Sequence, residues 1–308
     1  MTGNQFPNEV QPFSIEGANV RGRLVRLGQA FDDILSSHNY PEPVGGLMGE
    51  LTAMTAALAD SLKYDGLFIL QTQSDGPVSM MVVDVTSDGT IRGYARYDKD
   101  SFYRDTEINT AVPHIMGSGH IAFTVDQGLD TERYQGITTL EGASLAECAQ
   151  SYFRQSEQLE TALLLAADST TRHATALMIQ KMPTTGKGAE QHRNLTPEED
   201  DESWRSAVIL MSSMTTAELL DPGLSSLDLL YRLYHETGVR IYTSKPLKFQ
   251  CRCTEEKISA TLASFSPDDL ADMKTAEGLI VTTCEFCLTE YNFDDDALAT
   301  LRALNSPG

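Results

Sequence analysis

Apolar and polar positions alternate through much of the first half of the chain, in short runs separated by turn residues. In the earliest run, Val20, Gly22 and Leu24 fall on one face, with arginines between them. A period of two is typical of half-buried strands. Strands are therefore predicted at Asn19–Leu24, Leu67–Gln73, Val78–Val85, Thr90–Arg96, Ile121–Val125 and Gln135–Leu140.

Helical spacing interrupts these strands. One helix is predicted at about Gln29–His38, stopped by the Pro41–Pro43 turn, a stronger one opens at Gly45, and a third covers about Leu145–Gln158. Consecutive strands joined by short turns pair antiparallel, so the pattern predicts an α+β fold, a mixed core domain with an antiparallel-rich sheet. Two apolar segments close this half, at Ala162–Ala167 and Ala174–Met182.

The pattern changes after Met182, where a Pro- and Gly-containing linker begins. Thr196 and Pro197 have the residue types of a helix N-cap and first helical position, and acidic residues follow. The acidic run is interpreted as a solvated helix start. Short helices are predicted at Thr216–Leu220 and Ser226–His235, and the apolar stripes are narrow. We therefore expect this helical region to bury little surface and to be marginally stable.

Length and charge limit the function classes. The 308 residues suffice for two or three domains, which we predict at 1–185 (core), 186–248 (helical metastable linker) and 249–308 (small C-terminal domain). The formal net charge of −21 disfavours nucleic acid and anionic membranes as partners. No apolar run is long enough to span a bilayer, and the first residues lack a leader pattern. These features predict a cytoplasmic protein.

Four of the five cysteines form two close pairs, Cys251 with Cys253 and Cys284 with Cys287. Four thiolates suit a tetrahedral Zn²⁺ site, so one zinc ion per chain is predicted. A purely structural zinc clip is one interpretation. The other is a redox switch, because each pair is close enough in sequence to form a disulfide, and oxidation would then release the metal and its folding free energy.

These cysteine pairs, with Tyr291 and Phe293 after them, resemble the redox-regulated chaperones of the heat shock protein 33 family. The resemblance extends through the chain in order, and its other segments are Gly46–Leu51, Tyr134–Ile137, Tyr152–Gln158 and Tyr234–Arg240. Glu256 and Lys257 stand where a more basic stretch is expected, and Cys148 lies outside the pattern, as a buried or idle thiol.

The resemblance implies a stress-response chaperone that acts without ATP and is not an enzyme. Its reduced, zinc-bound form is inactive. Oxidation forms the disulfides Cys251–Cys253 and Cys284–Cys287, releases zinc and unfolds the linker. The oxidised homodimer then holds unfolding client proteins. Because a longer spacer makes a less strained disulfide, we expect Cys284 and Cys287 to react first.

Two other function classes remain open at this stage. A constitutive interaction module with structural zinc would bind partners whatever the redox state. A thiol–disulfide oxidoreductase would place its C-x-x-C at a helix N-terminus, whereas Cys284–Cys287 has the pattern of a β-turn knuckle. The six histidines show no metal-binding spacing. The glycines between Gly45 and Gly49 suggest close packing, and Ser156–Gln158 suggests structural hydrogen bonding.

Overall fold

The computed structural model describes residues 6–104, 111–128, 133–183 and 195–296. Contacts divide the chain into two units, Met1–Phe249 and Gln250–Gly308. The first unit contains both the predicted core and the predicted linker region, so the boundary between those two stays a prediction. No helix within the described ranges is long and apolar enough to cross a membrane.

Strands and helices are mixed along the chain, as in an α+β protein. The strands are β1 (Asn8–Ile15), β2 (Val20–Leu27), β3 (Leu67–Ser74), β4 (Val78–Thr86), β5 (Thr90–Tyr97), β6 (Gly119–Asp126), β7 (Tyr134–Thr139), β8 (Thr161–Asp168), β9 (His173–Lys181), β10 (Val239–Ile241), β11 (Lys245–Pro246), β12 (Lys248–Phe249), β13 (Ile280–Thr283) and β14 (Glu290–Phe293). The helices are α1 (Gln29–Ser36), α2 (Glu42–Ser61), α3 (Lys99–Arg104), α4 (Val112–Ile115), α5 (Leu145–Tyr152), α6 (Pro197–Ser212), α7 (Thr216–Leu220), α8 (Ser226–Tyr234), α9 (Glu255–Leu262) and α10 (Pro267–Asp272).

Two six-stranded sheets form the first unit. The first has the order β10-β1-β2-β9-β8, with β11 also on β1, and the second has the order β12-β5-β4-β3-β6-β7. Pairing is antiparallel except between β12 and β5. The α+β fold with antiparallel-rich sheets is confirmed. The six predicted strands correspond to β2–β7, and the two closing apolar segments are β8 and β9.

Helix α2 contacts strands of both sheets and is the centre of the main hydrophobic core. The Pro41–Pro43 turn does more than stop α1, because Pro41 is the N-cap of α2 and Pro43 lies in its first turn. The predicted close packing of glycines is confirmed here. A Cβ on Gly49 would lie 2.6 Å from the Cβ of Ala167 and 2.7 Å from the ring of Phe31.

Helices α6, α7 and α8 form a second core against the opposite face of the first sheet. The predicted capping of α6 is confirmed, since Thr196 and Glu199 form a reciprocal capping box. The interpretation of the acidic run as solvated is wrong for Asp200. That side chain is 5% exposed, accepts a hydrogen bond from Asn19 at 2.8 Å and pairs with Lys181 at 2.9 Å.

These helices bury more apolar surface than their narrow stripes predict. Their fully buried apolar side chains are Ala207, Met211, Leu219, Leu229, Leu230, Leu233 and Tyr234. A connector, residues 239–249, then carries the chain through β10, β11 and β12, which pair with β1 and β5. The last residue of this connector precedes the cysteine unit.

The cysteine unit contains α9, α10 and the two-stranded sheet β13–β14. Helix α10 follows Ser266, whose side chain caps the helix by accepting a hydrogen bond from the Asp269 N–H. Within residues 250–296, its hydrophobic cluster has four buried members, Leu262, Leu270, Ile280 and Phe293. Such a core is small for an independently folding unit.

Candidate metal centre

The first cysteine pair lies in an extended stretch between β12 and α9. Cys251 and Cys253 are two residues apart, so their side chains can point towards a common centre while Arg252 points away. Thr254 follows directly and caps α9 by accepting a hydrogen bond from the Lys257 N–H. The cap fixes the point at which the extended backbone turns into the helix.

The second pair lies in the turn that joins β13 to β14. The Cys284 N–H donates to the Thr289 carbonyl at 3.0 Å, and the Leu288 N–H donates to the Cys284 carbonyl at 2.8 Å. Leu288 has a φ of 55°, a left-handed conformation that closes the turn. This turn is the predicted β-turn knuckle. An oxidoreductase would need a helix to begin at Cys284, and none begins there.

The two pairs meet. All four Sγ atoms lie within 4.8 Å of one another. Cys251 Sγ is 3.3 Å from Cys253 Sγ and 3.7 Å from Cys284 Sγ, and Cys253 Sγ is 3.4 Å from Cys287 Sγ. A tetrahedral zinc with Zn–S bonds of about 2.3 Å requires sulfur–sulfur separations of about 3.8 Å. The four sulfurs therefore fit a tetrahedrally coordinated ion, and none of the four cysteines forms a disulfide.

Two hydroxyl groups from the knuckle side contact the sulfurs. The Tyr291 hydroxyl donates to Cys253 Sγ at 3.3 Å, and Thr289 Oγ1 lies 3.2 Å from Cys287 Sγ. These hydroxyl contacts to the sulfurs were not predicted from the sequence. The indication in the sequence is that Thr289 and Tyr291 lie two and four residues after Cys287, just before and within strand β14, which returns past the cluster.

Burial raises the pKa of the Cys253 thiol to about 12 and also raises the pKa of Cys284. Four neighbouring thiolates would repel one another in such a place. A divalent cation reverses this balance, because thiolates ligate it while thiols do not. The donor set and its surroundings therefore fit a metal centre better than a free redox thiol.

Cys148 lies apart from this cluster, in α5 of the first unit. Its side chain is fully buried, and burial raises its thiol pKa to about 11. A buried thiol with a raised pKa is a poor nucleophile. The expectation that Cys148 is a buried thiol is confirmed.

Among the described residues, the four cysteines are the one group of three or more that could hold a metal ion. The histidines do not form a second centre there. Ser156–Gln158 was interpreted as a hydrogen-bonding segment, and Glu157 does accept hydrogen bonds from Tyr134 and Tyr152.

The described residues form an α+β core with a layer of helices, α6–α8, and a separate small unit with a four-cysteine cluster. The family model described as Hsp33 protein matches residues 8–294. The chain belongs to the Hsp33 family.

Relatives support this assignment along nearly the whole chain. The 33 kDa chaperonin of Caulobacter vibrioides is 41% identical over 293 residues, covering 92% of this chain and 94% of the relative. That of Ectopseudomonas mendocina is 38% identical over 295 residues, covering 95% and 94%. The crystal structure of the 33 kDa chaperonin of Thermotoga maritima has the same fold, with a TM-score of 0.79 at 22% identity, covering 96% of this chain and 98% of the other. Family membership fits a chaperone role.

Proposed function

We propose that this chain is a redox-switched holdase, a chaperone that binds unfolding proteins without ATP and does so only after oxidation. In the reduced state, Cys251, Cys253, Cys284 and Cys287 hold one Zn²⁺ ion. The observation that carries this proposal is the convergence of four sulfurs, from two locally spaced pairs, in a unit with four buried apolar side chains.

The redox step requires an oxidant such as hydrogen peroxide. Two thiolates of one pair lose two electrons to one molecule of peroxide, which yields one S–S bond and two hydroxide ions. The second pair consumes a second molecule in the same way. We assign the disulfides as Cys251–Cys253 and Cys284–Cys287, with the second pair reacting first. Once all four ligands are consumed, zinc is released together with the folding free energy it supplied.

The connector couples this event to the helical region. Cys251 is the second residue after β12, whose pairing with β5 rests on only Lys248 and Phe249. The same connector contributes β10, which follows α8 and pairs with β1. Loss of order at Cys251 therefore begins next to the shortest strand pairings of the first unit.

Undocking of α6–α8 would expose an apolar surface suited to unfolded chains. The side chains concerned are those of the second core together with its half-buried neighbours Trp204 and Val208. Exposed apolar patches of this kind bind partners or associate with each other. This supports both client binding and a homodimer in the oxidised state. A cytoplasmic location fits, because cytosolic thiols are kept reduced until stress.

Light scattering of a chemically denatured client tests the proposal. The protein is added either thiol-reduced with zinc or after peroxide treatment, and we expect suppression of aggregation only after oxidation. Cys148→Ser is the matched control and should behave like the unaltered chain, whereas Cys284→Ser should resist activation. Equal suppression by both forms would instead support a constitutive interaction module with structural zinc.

A further inference from the structure

Two core segments that the redox switch does not use converge in space. Tyr134 in β7 and Tyr152 at the end of α5 both donate hydrogen bonds to Oε1 of Glu157, at 2.8 and 2.7 Å. Gly136 makes room for this arrangement, because a Cβ there would lie 2.0 Å from the Tyr152 hydroxyl oxygen. The segments 134–137 and 152–158 thus build one polar centre.

The backbone that carries Glu157 is irregular. Helix α5 continues into a π-helical turn, Phe153–Glu157, and ends at Gln158, which has a φ of 52°. The Leu159 N–H then donates to the Phe153 carbonyl at 3.0 Å. π-helical turns and left-handed non-glycine residues are less stable than regular helix and often occur at functional sites.

Beside this centre lies a cavity of about 390 Å³ with an aromatic wall. Phe123 and Tyr152 stack with ring centroids 4.2 Å apart, and Phe153 packs edge-on against both. The remaining apolar lining includes Leu58, Tyr64, Phe68 and Leu159. Ligand sites in proteins are typically concave, mostly apolar and about 300–1,000 Å³ in volume, with a few polar groups that orient the ligand.

The charged groups around the cavity are mainly cationic. Arg23 pairs with Asp60 at 3.1 Å, but Arg21 and Lys63 have no ion-pair or hydrogen-bond partner among the described residues. The one carboxylate in the lining, Glu157, already accepts two phenol hydrogen bonds. Arg21 is half-buried and Lys63 is exposed at the rim, and both line the aromatic cavity. An anionic group would complement them.

We propose that this cavity is a binding site for a small amphipathic carboxylate, of which a medium-chain fatty acid is the simplest form. Its apolar chain would lie along the rings of Phe123, Tyr152 and Phe153. Its carboxylate would pair with Arg21 and Lys63. All lining residues belong to the first unit and none to α6–α8, so binding requires neither oxidation nor the cysteine centre.

Isothermal titration calorimetry on the reduced, zinc-loaded chain tests this site, with octanoate as the probe at concentrations below micelle formation. We expect saturable binding at one site per chain. Octanol, which has the same chain without the charge, and octyltrimethylammonium should each bind about tenfold more weakly or worse, since one charge pair at the mouth of an apolar cavity is worth roughly that factor.

Variants locate the binding. Arg21→Gln should weaken octanoate roughly tenfold and leave octanol unchanged, whereas Phe153→Ala should weaken both. Arg205→Gln, an exposed arginine on α6, is the matched control and should change neither. Absence of saturable binding in the unaltered chain, or equal affinities for octanoate and octanol, would overturn the proposal. Because the test uses reduced protein, its outcome is independent of the redox switch.

Discussion

The two units of this chain are stabilised in different ways. The first unit has two extensive hydrophobic cores, one around α2 between the sheets and one beneath α6–α8. Among the described residues of the cysteine unit, four apolar side chains are buried, Leu262, Leu270, Ile280 and Phe293. A chain segment of about 60 residues with so small a core generally needs a metal or a disulfide to stay folded.

This difference means that a single chemical event can unfold the cysteine unit while the two sheets of the first unit stay folded. The first unit has one cysteine, Cys148, and its thiol is fully buried, so a thiol oxidant finds no exposed sulfhydryl there. In the cysteine unit, the four sulfurs would contribute most of the folding free energy through one ion. A switch requires this contrast, because the stable unit must survive the stress that the fragile unit senses.

Removal of the metal should have the largest effect. Treatment with a zinc chelator and a reductant should abolish amide protection in residues 251–293 while strands β2–β9 stay protected. Structural zinc contributes about 10 kcal/mol or more to small zinc modules, as much as the roughly 6–12 kcal/mol gross that burying four such side chains provides before the conformational entropy cost. Hydrogen exchange measured by mass spectrometry reports both units in one experiment. Persistence of protection at β13 and β14 after chelation would contradict the comparison.

The docking of the helical region should be intermediate in strength, and Arg26 offers a way to measure it. This side chain is 1% exposed, lies 4.1 Å over the ring of Phe6 and donates to the carbonyl oxygens of Leu224 and, at 2.8 Å, Asp221. It joins β2 to the loop between α7 and α8. Arg26→Ala removes both hydrogen bonds and should destabilise docking by roughly 2–3 kcal/mol.

Arg23 provides the matched control, because it lies on the opposite face of the same strand and pairs with Asp60 of α2. Arg26→Ala should speed proteolysis within 216–234 and raise client holding without oxidant, and Arg23→Ala should do neither. If both variants gave the same proteolysis rates, the helical region would not depend on this contact.

The sequence predicted the parts of the fold whose signal is local. Strands β2–β7 are apolar or alternating runs bounded by turn residues, and the four clustered cysteines come from pairs two and three residues apart. Strand β1 escaped prediction because Pro12 interrupts its pattern, and proline within a run disfavours a strand. In the structure Pro12 is tolerated, and its carbonyl accepts a hydrogen bond from the Tyr242 N–H at 3.1 Å.

Features that depend on distant partners could not be predicted. The connector strands β10–β12 are two or three residues long, so they have no measurable period, and they form only because β1 and β5 present edges to them. The helix predicted to run to Gln158 instead becomes a π-helical turn after Tyr152. The meeting of Tyr134, Tyr152 and Glu157 likewise follows from tertiary packing.

The smallest expected effect concerns Glu50, a half-buried titratable group beside the main core. Glu50 of α2 lines a cavity of about 500 Å³ whose other acidic groups are Glu42 and Asp168. Burial raises the pKa of Glu50 from 4.5 to about 7. A raised pKa in the folded state means that the folded protein binds the proton more tightly than the unfolded chain. Stability should therefore fall as pH rises from about 4.5 to 7, and level off above that.

Glu50→Gln removes this ionisation while keeping the shape of the side chain. The free energy of unfolding of the variant should match that of the unaltered chain near pH 4.5 and exceed it by about 1–2 kcal/mol at pH 8. This is less than the full pKa shift would give, because the carboxyl is only partly buried. Urea denaturation of the reduced, zinc-loaded protein, followed by a probe in the first unit, measures the difference. Glu160→Gln, at an exposed carboxyl, serves as the matched control. If the stability difference between Glu50→Gln and the unaltered chain stayed constant from pH 4.5 to 8, protonation of Glu50 would not be linked to folding. That result would contradict the prediction.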